Sequence, residues 1–119
     1  MKKLVFHLGN CTTCQRILKQ LKLENKGFIF REIKSQRLTP AELEMMKNMA
    51  GCYQSIFTRR SLSFKKLPAK EKNSLTELKM RDMILKDYTY LKRPVIIYGQ
   101  YIFCGNAPKT IAEAETIVR

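Results

Sequence analysis

The sequence predicts an α/β fold with the plan β-α-β, helical insert, β-β-α, and three observations carry that prediction. A short apolar strand, Leu4 to Leu8, runs through the turn residues Gly9-Asn10 into a Cys-x-x-Cys, Cys11-Thr12-Thr13-Cys14, that opens a helix. Two helix-capping signals mark a helical block in the middle of the chain. Arg93-Pro94 then leads into a compact hairpin and a closing helix.

Each element has a local reason. Leu4 to Leu8 is nearly all apolar, as a strand covered on both faces should be, and Gly9-Asn10 ends it. Cys14, Ile17, Leu18 and Leu21 recur at the spacing of one buried helical face, so Cys14 points inward. Gly27 is the expected residue past that helix's end, and Phe28 to Ile33 reads as a second strand. A strand, a crossover helix and a second strand make a parallel βαβ unit.

In the middle block, Thr39-Pro40-Ala41-Glu42 combines a cap, a proline suited to the first helical position and a glutamate able to complete a capping box. Leu43, Met46 and Ala50 form its apolar side, and Gly51 its stop. Ser74-Leu75-Thr76-Glu77 repeats the capping pattern and opens a helix running to about Tyr88, with Leu78 and Ile84 among its apolar positions. Between the two, Ile56 to Leu67 reads as an irregular basic segment.

Val95 to Tyr98, the turn Gly99-Gln100 and Tyr101 to Cys104 form the hairpin, with Pro94 placed where no interior ladder bond is lost. Ile111, Ala114 and Val118 carry the final helix onto the sheet.

At 119 residues the chain suits one domain with its own core. The reading places a core at about 1–36 and 91–119 and a helical insert at about 37–90. Hydrophobic residues are 45% and charged residues 28%, and no apolar run approaches a membrane span of about 20 residues. Met1-Lys2-Lys3 followed by Leu4-Val5-Phe6 imitates a signal peptide, but His7, Gly9 and Asn10 interrupt it, so the expected location is the cytoplasm. A net charge of +13 favours anionic partners without choosing among them. No helix-turn-helix or zinc finger is present, so direct sequence-specific DNA binding is not expected.

Cytosolic thiols are kept reduced, which turns four cysteines toward chemistry or packing rather than a disulfide framework. Cys52 and Cys104 stand alone and read as small buried hydrophobes. Cys11 and Cys14 are the chemical pair. Cys11 lies where the first helical N–H groups are unpaired, which favours a thiolate by roughly 0.3 to 1 kcal/mol, up to about 2 when partly buried. A structural zinc would need two further ligands at suitable spacing, and none is present, so no metal is expected. His7 reads as a strand histidine satisfied in the core and is not counted as catalytic.

The cysteine motif, Leu91-Lys92-Arg93-Pro94-Val95-Ile96-Ile97, and Ser55-Ile56-Phe57-Thr58-Arg59-Arg60-Ser61 followed by Phe64-Lys65-Lys66-Leu67 occur in the order of a known family. Over nearly its whole length the chain resembles the arsenate reductase and Spx (ArsC/Spx) family, with its thioredoxin-like, glutaredoxin-type fold. The resemblance implies a helical insert between the halves of the fold and a cis proline at Pro94 against the cysteine corner.

The resemblance also implies roles. Cys11 takes the nucleophile's position. Arg93 and one of Arg59 or Arg60 match two of the three arginines that hold an oxyanion in the glutaredoxin-coupled arsenate reductases. No arginine occurs in Tyr101 to Gly105, where the third would stand. Cys14 is a departure from those enzymes, and Cys11-Thr12-Thr13-Cys14 is closer to the Spx branch.

Two functions follow. One is an arsenate reductase-related thiol-disulfide oxidoreductase in which Cys11 attacks a small anionic or disulfide substrate and Cys14 resolves the intermediate. It would hold no bound cofactor and take electrons from glutathione, glutaredoxin or thioredoxin. The alternative is an Spx-like redox-sensing regulator that binds the RNA polymerase α-subunit and has no turnover of its own.

Overall fold

A computed structural model describes all 119 residues, and they group into two units, 1–37 with 93–119 and 38–92. The first unit holds a four-stranded sheet of order β2-β1-β3-β4, formed by β1 (Lys3–His7), β2 (Ile29–Glu32), β3 (Val95–Tyr98) and β4 (Tyr101–Cys104). β1 runs parallel to β2, pairing His7 with Glu32, and antiparallel to β3, pairing Phe6 with Val95. The β3/β4 hairpin turns at Gly99, whose positive φ of +61° suits the first turn position of a two-residue loop.

Val5, Ile96 and Phe103 lie in one row across the sheet and belong to the cluster that receives helices α1 (Thr12–Gln20) and α6 (Pro108–Ile117). From α1 and its cap come Ile17, Leu18 and Leu21; from α6 and its cap come Ala114 and Val118. The helical spacing seen in the sequence therefore does orient Cys14, Ile17, Leu18 and Leu21 inward, none of them more than 3% exposed.

α1 ends earlier than the Gly27 stop suggests. Lys22 takes a left-handed conformation (φ +55°) and a tight turn follows over Leu23–Asn25. In a continued helix Leu23 would lie about 200° round from Leu21 and leave the core. The left-handed residue costs roughly 1 to 2 kcal/mol, while burying a leucine returns about 1.5 to 3, and Leu23 is fully buried.

The second unit begins with α2 (Pro40–Ala50), whose capping box forms as the sequence predicts: Thr39 Oγ1 accepts the Glu42 N–H and the Glu42 carboxylate accepts the Thr39 N–H. Ile56 to Leu67 is not irregular throughout. A turn at Gln54–Ile56 leads into it, and the short helix α3 (Leu62–Lys65), capped by Ser61, lies within it. A further short helix, α4 (Ala69–Lys72), follows.

The next helix, α5 (Glu77–Lys86), is capped by Thr76 rather than Ser74 and stops before Tyr88, where a turn over Tyr88–Tyr90 takes over. Ser74 is instead tied back to Glu71 O at the end of α4. Leu78 is exposed, because the buried face of α5 is set by Met80 and Ile84, one turn apart. Phe57 pairs with Leu91 in an isolated bridge and its ring stacks on Tyr90 at 5.4 Å, closing the unit's aromatic cluster with Phe64. No helix is long and apolar enough to cross a membrane.

Candidate functional site

The cysteine corner is built where β1 hands over to α1. Cys11 is the N-cap residue, with extended backbone (φ −95°, ψ 111°), and its Sγ accepts the Cys14 N–H at 3.5 Å. A thiol thus occupies the position that serine, threonine or aspartate usually takes, meeting one of the helix's unpaired donors. Leu8 O anchors the loop from below, accepting the Cys11 N–H at 3.3 Å and the Gln15 Nε2 at 3.2 Å. Cys11 is half-buried and Cys14 fully buried, and all four cysteines stand as thiols.

Burial pushes the Cys14 thiol up to about 11, from an ordinary value near 9. A hydrogen bond with the Leu8 backbone works against that rise, contact with Cys11 and the Cys11 charge add to it, and the Arg93 guanidinium pulls it down. Cys14 is therefore a protonated thiol at neutral pH, held beside Cys11. Arg93 precedes Pro94, the Arg93–Pro94 peptide is cis, and Pro94 O accepts the Gly105 N–H at 2.9 Å. Register places Pro94 one residue beyond the Phe6–Val95 pair, at the end of β1 from which the cysteine loop departs.

The ArsC family model matches residues 6–114, which takes in the end of β1, both cysteines, the insert and the hairpin. The chain belongs to the ArsC family. No curated protein matches it in sequence. Among solved structures it is similar to a protein from Bacteroides fragilis described as ArsC family related (24% identity, 98% of each chain covered, TM-score 0.77). It is also similar to an arsenate reductase (ArsC) related protein from Brucella melitensis (20%, 98% of this chain and 94% of that one, TM-score 0.74). A third is an arsenate reductase from Vibrio cholerae (14%, 95% and 97%, TM-score 0.76). These likenesses establish the thioredoxin-like ArsC fold.

Within this ArsC fold the first unit gathers Cys11, Cys14, Arg93 and Pro94. Arg59 and Arg60 belong to the second unit and are both exposed there. The Arg59 guanidinium lies over the Phe64 ring at 5.6 Å, and the Arg60 N–H donates to Thr58 Oγ1 at 3.2 Å. Cys52 and Cys104 are half-buried rather than buried, and Cys52 Sγ lies 3.1 Å from Ser55 Oγ. His7 differs from its sequence reading: its Nδ1 is buried with no hydrogen-bond partner, and its ring meets Phe30 edge to face at 5.7 Å. No group of three or more His, Cys, Asp or Glu side chains is gathered as a metal site.

Glu32 is the residue that sequence reasoning missed. Its carboxylate accepts the Gly9 N–H at 3.1 Å, inside the cysteine loop, and the Lys34 and Ser35 N–H groups at 2.5 and 3.0 Å. Those donors hold the carboxyl below the usual carboxylate range, Ser35 and Gly9 foremost, with the His7 charge a lesser cause. No sequence signal marks the reach to Gly9, which lies 23 residues away in the chain.

Proposed function

We propose that this chain is an arsenate reductase-related thiol-disulfide oxidoreductase with Cys11 as nucleophile and Cys14 as resolving thiol. The observation that carries the reading is the pairing of a half-buried Cys11 Sγ at the helix N-cap with a buried Cys14 thiol raised to about 11. The N-cap position favours negative charge on Cys11, whereas burial disfavours it on Cys14. One thiol is thereby ready to attack and the other is kept from competing.

The step proceeds as follows. The Cys11 thiolate attacks one sulfur of a substrate disulfide; a Cys11–substrate disulfide forms, and the other substrate sulfur leaves as a thiolate and takes a proton. Cys14 then loses its proton to solvent and attacks Cys11 Sγ, forming the Cys11–Cys14 disulfide and expelling the second substrate thiol. Two substrate thiols are produced and two protein thiols are oxidised. Glutathione, glutaredoxin or thioredoxin returns the two electrons, in keeping with a cytoplasmic location.

Arg93 stands ahead of the cis proline and contributes positive charge at the cysteine pair, which suits an anionic substrate. With no arginine in Tyr101 to Gly105, a small anionic disulfide fits this charge set better than a free oxyanion. The family role proposed for Arg59 or Arg60 is resolved by assaying Arg59→Ala and Arg60→Ala separately: the counterpart raises KM and the other leaves it unchanged.

The cysteine pair also favours a second reading, an Spx-like switch that docks on the RNA polymerase α-subunit. One comparison separates them. Arsenate and small disulfides are assayed with glutaredoxin and thioredoxin donors, alongside capture of the α-subunit by oxidised and reduced protein. Turnover lost in Cys11→Ser supports the enzyme; redox-dependent capture without turnover overturns it in favour of the switch.

A further inference from the structure

Glu32 ends β2 opposite His7, and its carboxylate is divided between two loops. Oε1 takes the Lys34 and Ser35 N–H groups that follow its own strand, while Oε2 takes the N–H of Gly9, two residues before Cys11. The same strand ends are joined again by the Ile33 N–H to His7 O at 3.0 Å. The approach to Gly9 is close: a Cβ there would lie 3.4 Å from Glu32 Oε2 and 3.5 Å from its Cγ.

We infer, building on the reading of Cys11 as nucleophile, that Glu32 is a positioning residue for Cys11: by holding the Gly9 N–H it fixes the turn that delivers the Cys11 sulfur to the helix N-cap. Gly9 and Asn10 are exposed and have little packing to hold them. The loop's own tie, Cys11 N–H to Leu8 O, is long at 3.3 Å. Cys11 must arrive in extended conformation for its Sγ to meet the Cys14 N–H, so a turn free to pivot would lift the sulfur from its cap.

A carboxylate is required because only it accepts on both sides. A glutamine must turn its NH₂ toward one loop. Two donors at the Lys34–Ser35 side outweigh one at Gly9, so the NH₂ would face the Gly9 N–H and release it.

This gives opposite predictions for Glu32→Gln. Removing a nearby negative charge, taken alone, eases thiolate formation and lowers the pH at which Cys11 alkylation is half-maximal. Loss of the N-cap position raises it. His7 on β1, Lys34 after β2, Cys14 on α1 and Arg93 before β3 are the other titratable and charged groups around the loop, and none of them is substituted in the variant.

The test is site-resolved iodoacetamide alkylation of the full chain across a pH series, with amide hydrogen exchange at Gly9 measured on the same samples. The expected result is faster Gly9 exchange in Glu32→Gln and an alkylation midpoint raised enough to slow neutral-pH labelling about threefold, which is roughly half a pH unit. Glu32→Asp, which keeps the charge and shortens the reach, should fall between. An unchanged or lowered midpoint overturns the inference, whether or not Gly9 exchange rises. Failure of the nucleophile reading itself is a separate outcome: wild-type Cys11 would then label no faster than an ordinary thiol.

Discussion

Cys11 and Cys52 are both half-buried thiols beside a helix, yet they stand at opposite helix ends. Cys11 is the N-cap of α1, with its Sγ directed at the Cys14 N–H. Cys52 follows Gly51, the residue that ends α2, whose N–H closes onto Lys47 O at 2.7 Å. The first thiol meets an unpaired donor at the positive end of the macrodipole; the second follows a carbonyl end in the chain. Each has a neighbour three residues on, but Cys11 has a second thiol and Cys52 only the Ser55 hydroxyl. The contrast predicts a reactivity set less by exposure, which the two share, than by which end of a helix the sulfur occupies.

The largest effect expected from this contrast is on turnover. Cys11→Ser should lower disulfide reduction on the order of 10³-fold or more, because the attacking atom is lost, whereas Cys52→Ser should change it less than about twofold. Comparable losses in both variants would show that Cys11 has no special role in turnover.

Next in size is an alkaline effect on stability, from Cys14. Its thiol is raised in the folded chain, so its contribution is full below the unfolded value near 9 and is lost as pH rises through about 11. Thermal melts of wild type should fall more steeply across that window than melts of Cys14→Ala, and Cys52→Ala should follow wild type. Parallel curves for wild type and Cys14→Ala would show that burial does not hold the proton there.

The smallest effect is a labelling ratio. A helix N-terminus favours negative charge by about 0.3 to 1 kcal/mol, so iodoacetamide at neutral pH should modify Cys11 about two- to fivefold faster than Cys52. A ratio near one would show that the helix end adds nothing to the reactivity of Cys11.

The same division between near and far separates what the sequence discloses from what it conceals. The hairpin about Gly99-Gln100 and the Thr39 capping box rest on residues within a few positions of one another, and both are legible. The Cys11–Cys14 arrangement is legible for the same reason, being one helical turn. Lys22 is not, because a lysine has no intrinsic reason to adopt positive φ; the need to bury Leu23 imposes it.

Two carboxylates mark the limit most clearly. Glu77 follows its cap in a pattern that suggests helix-start duty, yet its oxygens accept the Tyr53 and Gln54 N–H groups at 2.7 and 3.0 Å. Glu32 likewise reaches across the fold to Gly9. In both cases the acid satisfies backbone donors of a loop more than twenty residues away, and no periodicity or spacing records that. Arg59 and Arg60 illustrate the converse, since a motif can align them with a family while their own surroundings are an exposed turn and the Phe64 ring.

In the proposed order, Cys11 attacks first and Cys14 resolves. The most direct measurement is mass spectrometry of Cys14→Ser after incubation with a small disulfide. With the resolving thiol absent, the mixed disulfide should accumulate on Cys11 alone, while wild type goes on to the Cys11–Cys14 bond. An adduct on Cys52 or Cys104, or one spread evenly over the remaining cysteines, would contradict the assignment.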